Sequence, residues 1–263
     1  MAGYWGLVNR AELIAGRAAP LADRPAAFTP LQGARIDHCG GTMSHWAIDM
    51  ERYLDGSNNG YGLSCGAFGG DPGVGSDTLV IRRAAESADA RLDPERIYVQ
   101  AGRTAGALFV PSATCTDSTD AGCVPTVEPP SAAQSRVLTV RAYYVAGRSS
   151  LGTDVPSLRR KSFGNPNAAT AASAVTDEEI VPGVEDLQVH LGVDTDGDTN
   201  ADQYVNPGSV PPGAAVVSAT VWLRIRAGQR EIGHVDDRTY QYADMAAPLT
   251  PNDDYRRIVV SKT

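Results

Sequence analysis

The strongest constraint on the fold is a period-two alternation of apolar and polar residues in two segments of the chain. From Leu187 to Val193 every second residue is apolar, and the same holds from Val217 to Arg226. Successive side chains of a β-strand point to opposite faces, so this period predicts two half-buried strands. The chain is therefore expected to fold around a sheet.

Weaker patterns extend this prediction over residues 1–263, which we interpret as one domain with a predominantly antiparallel sheet and long loops. Short helices are predicted at Arg10–Arg17 and at Asp177–Ile180. Long polar or Gly-rich loops are expected at 55–77, 111–135 and 161–178. Further strands are bounded by Gly, Pro, Asn or Asp, as antiparallel strands usually are. These strands are Thr78–Arg82, Arg96–Val99, Val137–Val145, Arg238–Tyr242 and Tyr255–Val260.

The charge balance is acidic, with 23 basic against 31 acidic residues and a net charge of -8. Proteins bind nucleic acids largely through Lys and Arg side chains that neutralise phosphates, and the sequence has no basic stripe with interleaved aromatic residues. The short basic cluster Arg159–Lys161 is interpreted as a solvated strand end. Neither nucleic acid nor an anionic membrane surface is expected as a partner.

The cysteines indicate the compartment. The sequence lacks the ~18 consecutive apolar residues of a membrane span, and it does not open with a signal peptide. Four cysteines in loop-like sequence nevertheless predict disulfides and an oxidising compartment. Cys115 and Cys123 would close a short loop, and Cys39 and Cys65 would enclose a Gly-rich region. Three pairings are formally possible, and the sequence does not choose among them.

Several motifs that resemble catalytic or metal sites lack the context that their chemistry needs. Gly62–Gly66 match the Gly-x-Ser-x-Gly nucleophile elbow, but neither a strand precedes them nor a helix follows. Gly69–Gly75 precede a strand and contain no Lys, which excludes a phosphate-binding loop. His190 falls on the polar phase of its strand and is expected to face solvent. A zinc site would need His38, Cys39, His45 and Cys65, which lack a compact Cys-x-x-Cys spacing. We predict that the protein is not an enzyme.

The segment with most chemical content is an acidic turn of residues 194–202. Its side-chain oxygens belong to Asp194, Asp196, Asp198, Asn200 and Asp202. Carboxylates this close repel one another unless solvent or a cation separates them, and Ca²⁺ takes six to eight oxygen ligands in flexible geometry. These five residues are therefore the candidate ligands of a structural Ca²⁺ site.

The match of the acidic turn to the EF-hand loop is partial. Gly197 stands at the fourth loop position, Thr199 at the sixth and Val205 at the twelfth, where a bidentate Glu is usual. Glu185 or Asp186 is considered as a further ligand. The alternative interpretation is a solvated hairpin turn without metal.

In their order, several segments resemble PilW-type minor pilins of the type IV pilus. The segments that carry the resemblance are Ala2–Gly6, Gly75–Arg83, Arg141–Val145, Val155–Arg160, Val181–Val205, Val221–Arg226, Thr239–Tyr240 and Tyr255–Arg257. Together they extend over nearly the whole chain. Members of this family begin with a leader and a long apolar helix, so the resemblance implies that this chain begins just past a transmembrane helix. We also expect a few residues beyond Thr263 to finish the last strand, and a glycine is more usual at the position of Thr199.

The resemblance implies a pilin-like α+β fold without catalytic residues. Similar proteins assemble with other minor pilins and the major pilin into a complex that primes pilus assembly and caps the fibre tip, with a possible part in adhesion. The full-length protein would be anchored in the inner membrane, facing the periplasm, before reaching the extracellular tip. Two other functions fit much of the sequence: a J-type pseudopilin of a type II secretion system, and an extracellular calcium-dependent adhesin or glycan-binding module.

Overall fold

The structure, a computed structural model, describes residues 53–63, 65–101, 106–120, 123–124, 134–164, 175–212 and 214–263. Within these residues the regular structure is almost entirely β, with a single 3-10 turn at Phe68–Gly70. No helix among them is long and apolar enough to cross a membrane. The strands are β1 Leu54–Ser57, β2 Thr78–Ala84, β3 Tyr98–Ala101, β4 Gly106–Phe109, β5 Ser135–Ala146, β6 Ser157–Phe163, β7 Val175–Pro182, β8 Val184–Asp194, β9 Gln203–Val205, β10 Ala215–Arg226 and β11 Arg257–Lys262.

The strands form two sheets, and the pairings are mostly antiparallel. Seven strands form the first sheet in the order β1-β2-β5-β3-β4, with β6 paired to β5 and β7 paired to β6. The second sheet has the order β11-β10-β8-β9. The predicted antiparallel β structure is confirmed. The helical part of the predicted pilin-like α+β fold is not, because the expected helix at Arg10–Arg17 lies outside the described residues.

The chain divides into two compact units. Unit 1 comprises residues 1–53, 81–141 and 162–176, and unit 2 comprises residues 54–80, 142–161 and 177–263. In unit 1, Tyr98 of β3 and Phe109 of β4 pack together with Leu92 in a small buried cluster. In unit 2, the four-stranded sheet supplies the core. The single domain predicted for residues 1–263 stays a prediction.

The two strongest sequence patterns are confirmed as the central strands of the second sheet. Residues of β8 and β10 lie opposite each other in the order that alternation requires, for example Leu187 opposite Leu223 and Val189 opposite Val221. The expectation that β8 is only half-buried is wrong, since its polar residue Gln188 is fully buried too. Gln188 Nε2 donates to Gly75 O (2.8 Å), and this hydrogen bond offsets part of the cost of burying the amide.

The basic cluster of residues 159–161 is a second point at which the structure differs from the prediction. Arg159 and Lys161 lie in β6 and are buried, and only Arg160 between them has a more exposed side chain. Their charges are neutralised across the strand pair: Arg159 Nε lies 2.8 Å and Lys161 Nζ 2.6 Å from the carboxylate of Asp177 on β7. Burial favours the neutral acid, but the hydrogen bonds from Lys161, Tyr144 and Arg159 outweigh it and lower the pKa of Asp177.

Four further element predictions are corrected. Asp177–Ile180 forms part of strand β7 and not a helical turn, because alternate carboxylates there pair with the cations of β6. Arg238–Tyr242 is not a strand and contributes only an isolated bridge between Tyr240 and Leu249. Both Arg238 and Tyr240 bond instead to the carboxylate of Asp236. Strands β3 and β11 each begin two residues later than predicted.

A buried ionic cluster fixes β11 to β8. The guanidinium of Arg257 on β11 lies 2.8 Å from Glu185 on β8, 2.6 Å from Asp253 and 3.3 Å from Asp236. Burial disfavours its charge, yet these carboxylates raise the pKa of Arg257. Burial also opposes the charge of Asp236, but hydrogen bonds from Arg238, Tyr240 and Arg257 lower its pKa to about 2. The neighbouring charges therefore favour the ionised forms of Arg257 and Asp236 in spite of their burial.

We expect Arg257→Ala to lower the free energy of unfolding by about 3–5 kcal/mol, because it leaves buried carboxylates without a partner. The neighbouring Arg256→Ala is the matched control. Arg256 pairs with Glu231 at the exposed surface, where solvent screens the ion pair, so its removal should lower the free energy of unfolding far less. Urea denaturation of both variants measures the difference, and equal losses would contradict the role assigned to the buried cluster.

Candidate functional site

The acidic turn connects the end of β8 to β9. Asp194 is the last residue of β8, and Asp202 N donates to Val193 O (2.9 Å), which closes the turn before Gln203 begins β9. The prediction of a turn between two strands is confirmed. All residues of the turn from 195 to 200 are exposed, so the site is open to solvent.

Asp194 organises the turn through its carboxylate. Its Oδ1 accepts the N–H groups of Asp196 (3.1 Å) and Gly197 (2.6 Å), and its Oδ2 accepts that of Thr199 (2.8 Å). The hydrogen bonds from Gly197 and Thr199 contribute most to the lowered pKa of Asp194. Both of these residues have positive φ, at 87° and 72°, which curls the backbone around the carboxylate. For the β-branched Thr199 this conformation is strained.

Three of the five predicted calcium ligands come together in the structure. Asp194, Asp196 and Asp202 each offer one carboxylate oxygen within 4.8 Å of the others. Asp202 Oδ2 also accepts from the hydroxyl (2.6 Å) and the N–H (2.7 Å) of Thr195, and these two bonds lower the pKa of Asp202. These hydrogen bonds favour the ionised form of the Asp202 carboxyl.

The other two predicted ligands, Asp198 and Asn200, bond to each other. Asn200 N lies 2.7 Å from Asp198 Oδ1, and Asn200 Nδ2 lies 2.9 Å from Asp198 Oδ2. Neither belongs to the three-carboxylate group. Sequence spacing alone did not separate these two residues from the rest of the turn.

The suggestion that Glu185 or Asp186 completes the cation shell is wrong. Both lie at the opposite end of β8, about 30 Å of extended strand from Asp194. Glu185 is paired with Arg257, while Asp186 accepts hydrogen bonds from Ser76 (2.8 Å) and Tyr242 (2.5 Å). Both carboxylates therefore have partners in the protein core.

The residues present fit a weak site for a hard cation. Asp196 Oδ1 accepts the N–H of Asp198, and Asp202 Oδ2 accepts two hydrogen bonds from Thr195. Since an ionised carboxylate offers about four lone-pair sites, both side chains keep acceptor capacity for a ligand. Three carboxylates supply fewer oxygens than the six to eight that Ca²⁺ takes, and exposure allows water to supply the rest. Such a site would bind with low affinity and would stiffen the turn.

The predicted disulfide between Cys115 and Cys123 is confirmed in unit 1, and it closes the eight-residue separation between them. Cys65 is buried and is also disulfide-bonded, with a partner outside the described residues. Its predicted pairing with Cys39 falls on a residue outside the described part of the chain and stays a prediction. Because its sulfur is bonded, Cys65 is not available as a ligand for the alternative zinc site.

The surroundings of the Gly-x-Ser-x-Gly match differ from those of a nucleophile elbow. Its serine, Ser64, lies outside the described residues. Strand β1 ends at Ser57, and the 3-10 turn at Phe68–Gly70 is the nearest described helical structure on the other side. The elbow chemistry needs a strand before the serine and a helix directly after it, and the described residues on either side form neither.

His190 is less exposed than predicted. Its ring packs edge-on against Trp222 of β10, with centroids 5.0 Å apart, and its Nε2 lies 3.7 Å from Asp244 Oδ1. Both residues occupy the polar face of the four-stranded sheet, which loops cover in part. The expectation of a solvent-facing histidine is wrong. Alternation predicts which face of the strand a side chain is on, but it does not predict which loops cover that face.

A buried carboxylate, Asp77, was missed as a structural centre. It is only 1% exposed, and its two oxygens accept the N–H groups of Asn59 (2.7 Å) and Val189 (2.8 Å). Burial raises its pKa to about 6, although both hydrogen bonds act in the opposite direction. Asp77 follows Gly75 and Ser76 in a short polar segment directly before strand β2. This position was the one feature of the sequence that could have indicated its structural role.

Comparison with known protein families gives a match for the part of the chain that contains the second sheet. Residues 142–263 match the family model of PilW, described as type IV pilus-assembly protein W. This part of the chain, somewhat less than half of its length, is similar to the PilW family. No curated protein and no solved structure matches the chain.

The PilW match includes β8 to β11, the acidic turn and the buried ionic cluster around Arg257. Asp77 and the disulfide of Cys115 and Cys123 lie before the matched residues. The resemblance of Gly75–Arg83 to minor pilins therefore remains a resemblance. The matched family is described as one of type IV pilus-assembly proteins.

We expect Asp77 to make the protein more stable as the pH falls from 7.5 to 5. Its pKa is raised from 3.8 to about 6 on folding, so the folded state binds a proton more tightly than the unfolded chain in this window. Asp77→Asn should be less stable overall and should lose this slope. Urea denaturation midpoints across this pH range measure the dependence of stability on pH. Equal slopes of midpoint against pH in the wild type and in Asp77→Asn would contradict the raised pKa of Asp77.

Proposed function

We propose that the protein is a minor pilin that acts in type IV pilus assembly, within the priming complex that caps the fibre tip. The observation that carries this proposal is the PilW match, which covers the whole four-stranded sheet with its loops. The family supplies the role in pilus assembly. The place at the tip and a part in adhesion are our additions, and other minor pilins and the major pilin are the partners that we propose.

Exposed aliphatic side chains at turn tips support a role in protein assembly. Val74 is 99%, Leu151 76% and Ile232 103% exposed, and all three belong to unit 2. Single exposed aliphatic residues are common, but several that share one end of a sheet form a surface that a partner can cover. Their positions in the strand pairing decide whether they share an end.

The turns of Val74 and Leu151 lie at the same end of β5. Gly73 N donates to Val145 O (2.8 Å), which places the residue before Val74 beside the last residues of this strand. The Leu151 turn begins directly after the same strand ends at Ala146. A partner that approaches this end of β5 meets both side chains.

Hydrogen bonds extend the same end of unit 2 to the turn of Ile232. Gly183 N donates to Pro156 O (2.6 Å), which joins the start of β6 to the turn between β7 and β8. Arg226 N in turn donates to Gly183 O (2.8 Å), which joins this turn to the end of β10, and Ile232 follows six residues later. We define Val74, Leu151 and Ile232 as the turn-tip surface.

The pilin-like α+β fold and the membrane anchor belong to the proposal as well. An N-terminal helix would carry the anchor in the inner membrane, with the described residues in the periplasm and later at the extracellular tip. The disulfide of Cys115 and Cys123 supports this location, because disulfides persist in oxidising compartments such as the periplasm. The exposed acidic surface gives no support to a direct contact with anionic lipid.

Co-expression with the other minor pilins of the same pilus system, followed by pull-down of this chain, tests the function. We expect capture of at least one minor pilin, and we expect Ile232→Asp to reduce it about tenfold or more by placing a charge on the turn-tip surface. Tyr204→Ser is the matched control, since Tyr204 is exposed on β9 at the other end of β8.

Two outcomes of the pull-down would contradict the proposal. Capture of type II secretion pseudopilins in place of minor pilins would assign the chain to secretion. An equal loss of minor-pilin capture with Ile232→Asp and Tyr204→Ser would show that the turn-tip surface is not the binding surface. Calcium-dependent binding to a glycan array, with no minor pilin captured, would instead support the adhesin interpretation.

We further propose that the acidic turn binds Ca²⁺ as a structural ion. In the wild-type protein, 10 mM CaCl₂ should raise Tm by a few degrees, since a site with millimolar affinity adds about 1.4 kcal/mol by mass action. Asp196→Asn should remove this rise because it weakens the three-carboxylate group. Asp198→Asn is the matched control and should keep it. An unchanged wild-type Tm would leave the metal-free hairpin turn as the correct interpretation.

A further inference from the structure

Strand β11 presents three consecutive apolar residues at the edge of the four-stranded sheet. Ile258, Val259 and Val260 are 58%, 36% and 43% exposed, and they point alternately to the two faces. Among the described residues, β11 pairs only with β10, so its outer edge has no neighbouring strand there. Natural edge strands usually carry charges, Pro or bulges that prevent pairing, and here Lys262 is the one charge in the exposed part.

The register with β10 determines which backbone groups point outward. Ala227 N donates to Arg256 O (2.8 Å), so this pair is of the hydrogen-bonded type, and the types alternate along an antiparallel ladder. Ile258 and Val260 therefore use their N–H and C=O groups to pair with β10. Val259 and Ser261 direct theirs toward the open edge.

The near end of this edge is closed by a side chain. Arg238 Nη2 donates to Arg257 O (2.8 Å), which satisfies the outward carbonyl at the start of β11. Arg257 is two residues before Val259, so its backbone groups also point outward. The hydrogen bond from Arg238 agrees with this. The open part of the edge is thus Ile258–Lys262, with two outward N–H groups and two outward C=O groups.

We propose that this open edge pairs with the same edge of a second copy of the chain, antiparallel and about a two-fold axis at Val260. In this register Val259 of each copy exchanges both backbone hydrogen bonds with Ser261 of the other. All four outward groups of each strand are satisfied. The sheets of the two copies then join into one sheet of eight strands.

The sequence of β11 fits itself in this register. Val260 lies opposite its own copy, and Ile258 lies opposite Lys262, whose aliphatic stem can cover it. The two Lys262 residues stand on opposite sides of the axis, so no like charges are opposed. Val260 and Ile258 also continue the apolar face of Leu223 and Ile225 on β10, which the second copy extends across the axis.

Sedimentation velocity of the full chain between 1 and 300 µM tests this proposal. We expect a reversible dimer whose population rises with concentration. Val259→Pro should raise the dissociation constant at least ~tenfold, because proline removes an outward N–H and leaves the ladder to β10 intact. Tyr204→Ser, at an exposed residue of β9 on the opposite edge of the sheet, is the matched control and should dimerise like the wild type.

A cysteine scan reports the register independently. Residues at the axis face their own copy in a non-hydrogen-bonded pair, whose short Cα separation suits a disulfide. Val260→Cys should therefore form a covalent dimer on mild oxidation, while Ile258→Cys on the same face should not. Far-UV circular dichroism confirms that each variant is folded. A wild type that stays monomeric at 300 µM, or equal cross-linking of the two cysteine variants, would overturn the proposal, whatever the pull-down with minor pilins shows.

Discussion

The guanidinium of Arg257 is buried among three carboxylates, and the second sheet depends on this cluster. Glu185 comes from β8, while Asp236 and Asp253 come from the loops beside β11. A charge in a protein interior is costly unless its partners are in place, so the ions hold the strand and the loops in one arrangement. The edge strand β11 can therefore leave apolar residues exposed and still keep its position.

Strand β8 connects this cluster to the acidic turn. One end carries Glu185 in the ionic cluster, and the other end carries Asp194, whose carboxylate gathers the N–H groups of the turn. Between them, Val189 N is held by the buried carboxylate of Asp77. A strand held at these three points fixes the positions of its loops, which suits the proposed role in pilus assembly.

The sequence predicted the central strands because alternation is a local property of the chain. The period in β8 and β10 is confirmed, and the acidic turn also followed from nearby residues. The short separation of Cys115 and Cys123 suggested their bond, but the structure was needed to choose it among three possible pairings. The interpretation of the basic cluster as a solvated strand end is wrong, because Arg159 and Lys161 are buried although charged. Their burial depends on carboxylates of β7, and a pattern within β6 does not contain that information.

By itself, the sequence determined which segments extend into strands, where the acidic residues cluster and to which family the chain is similar. Tertiary structure decided the charges that are buried, the carboxylates that meet and the strand edge that stays open. Three of five turn residues form the carboxylate group, while Glu185 and Asp186 serve the core. The physical reason is that alternation acts between neighbours in sequence, whereas burial and charge pairing act between residues that only the folded chain brings together.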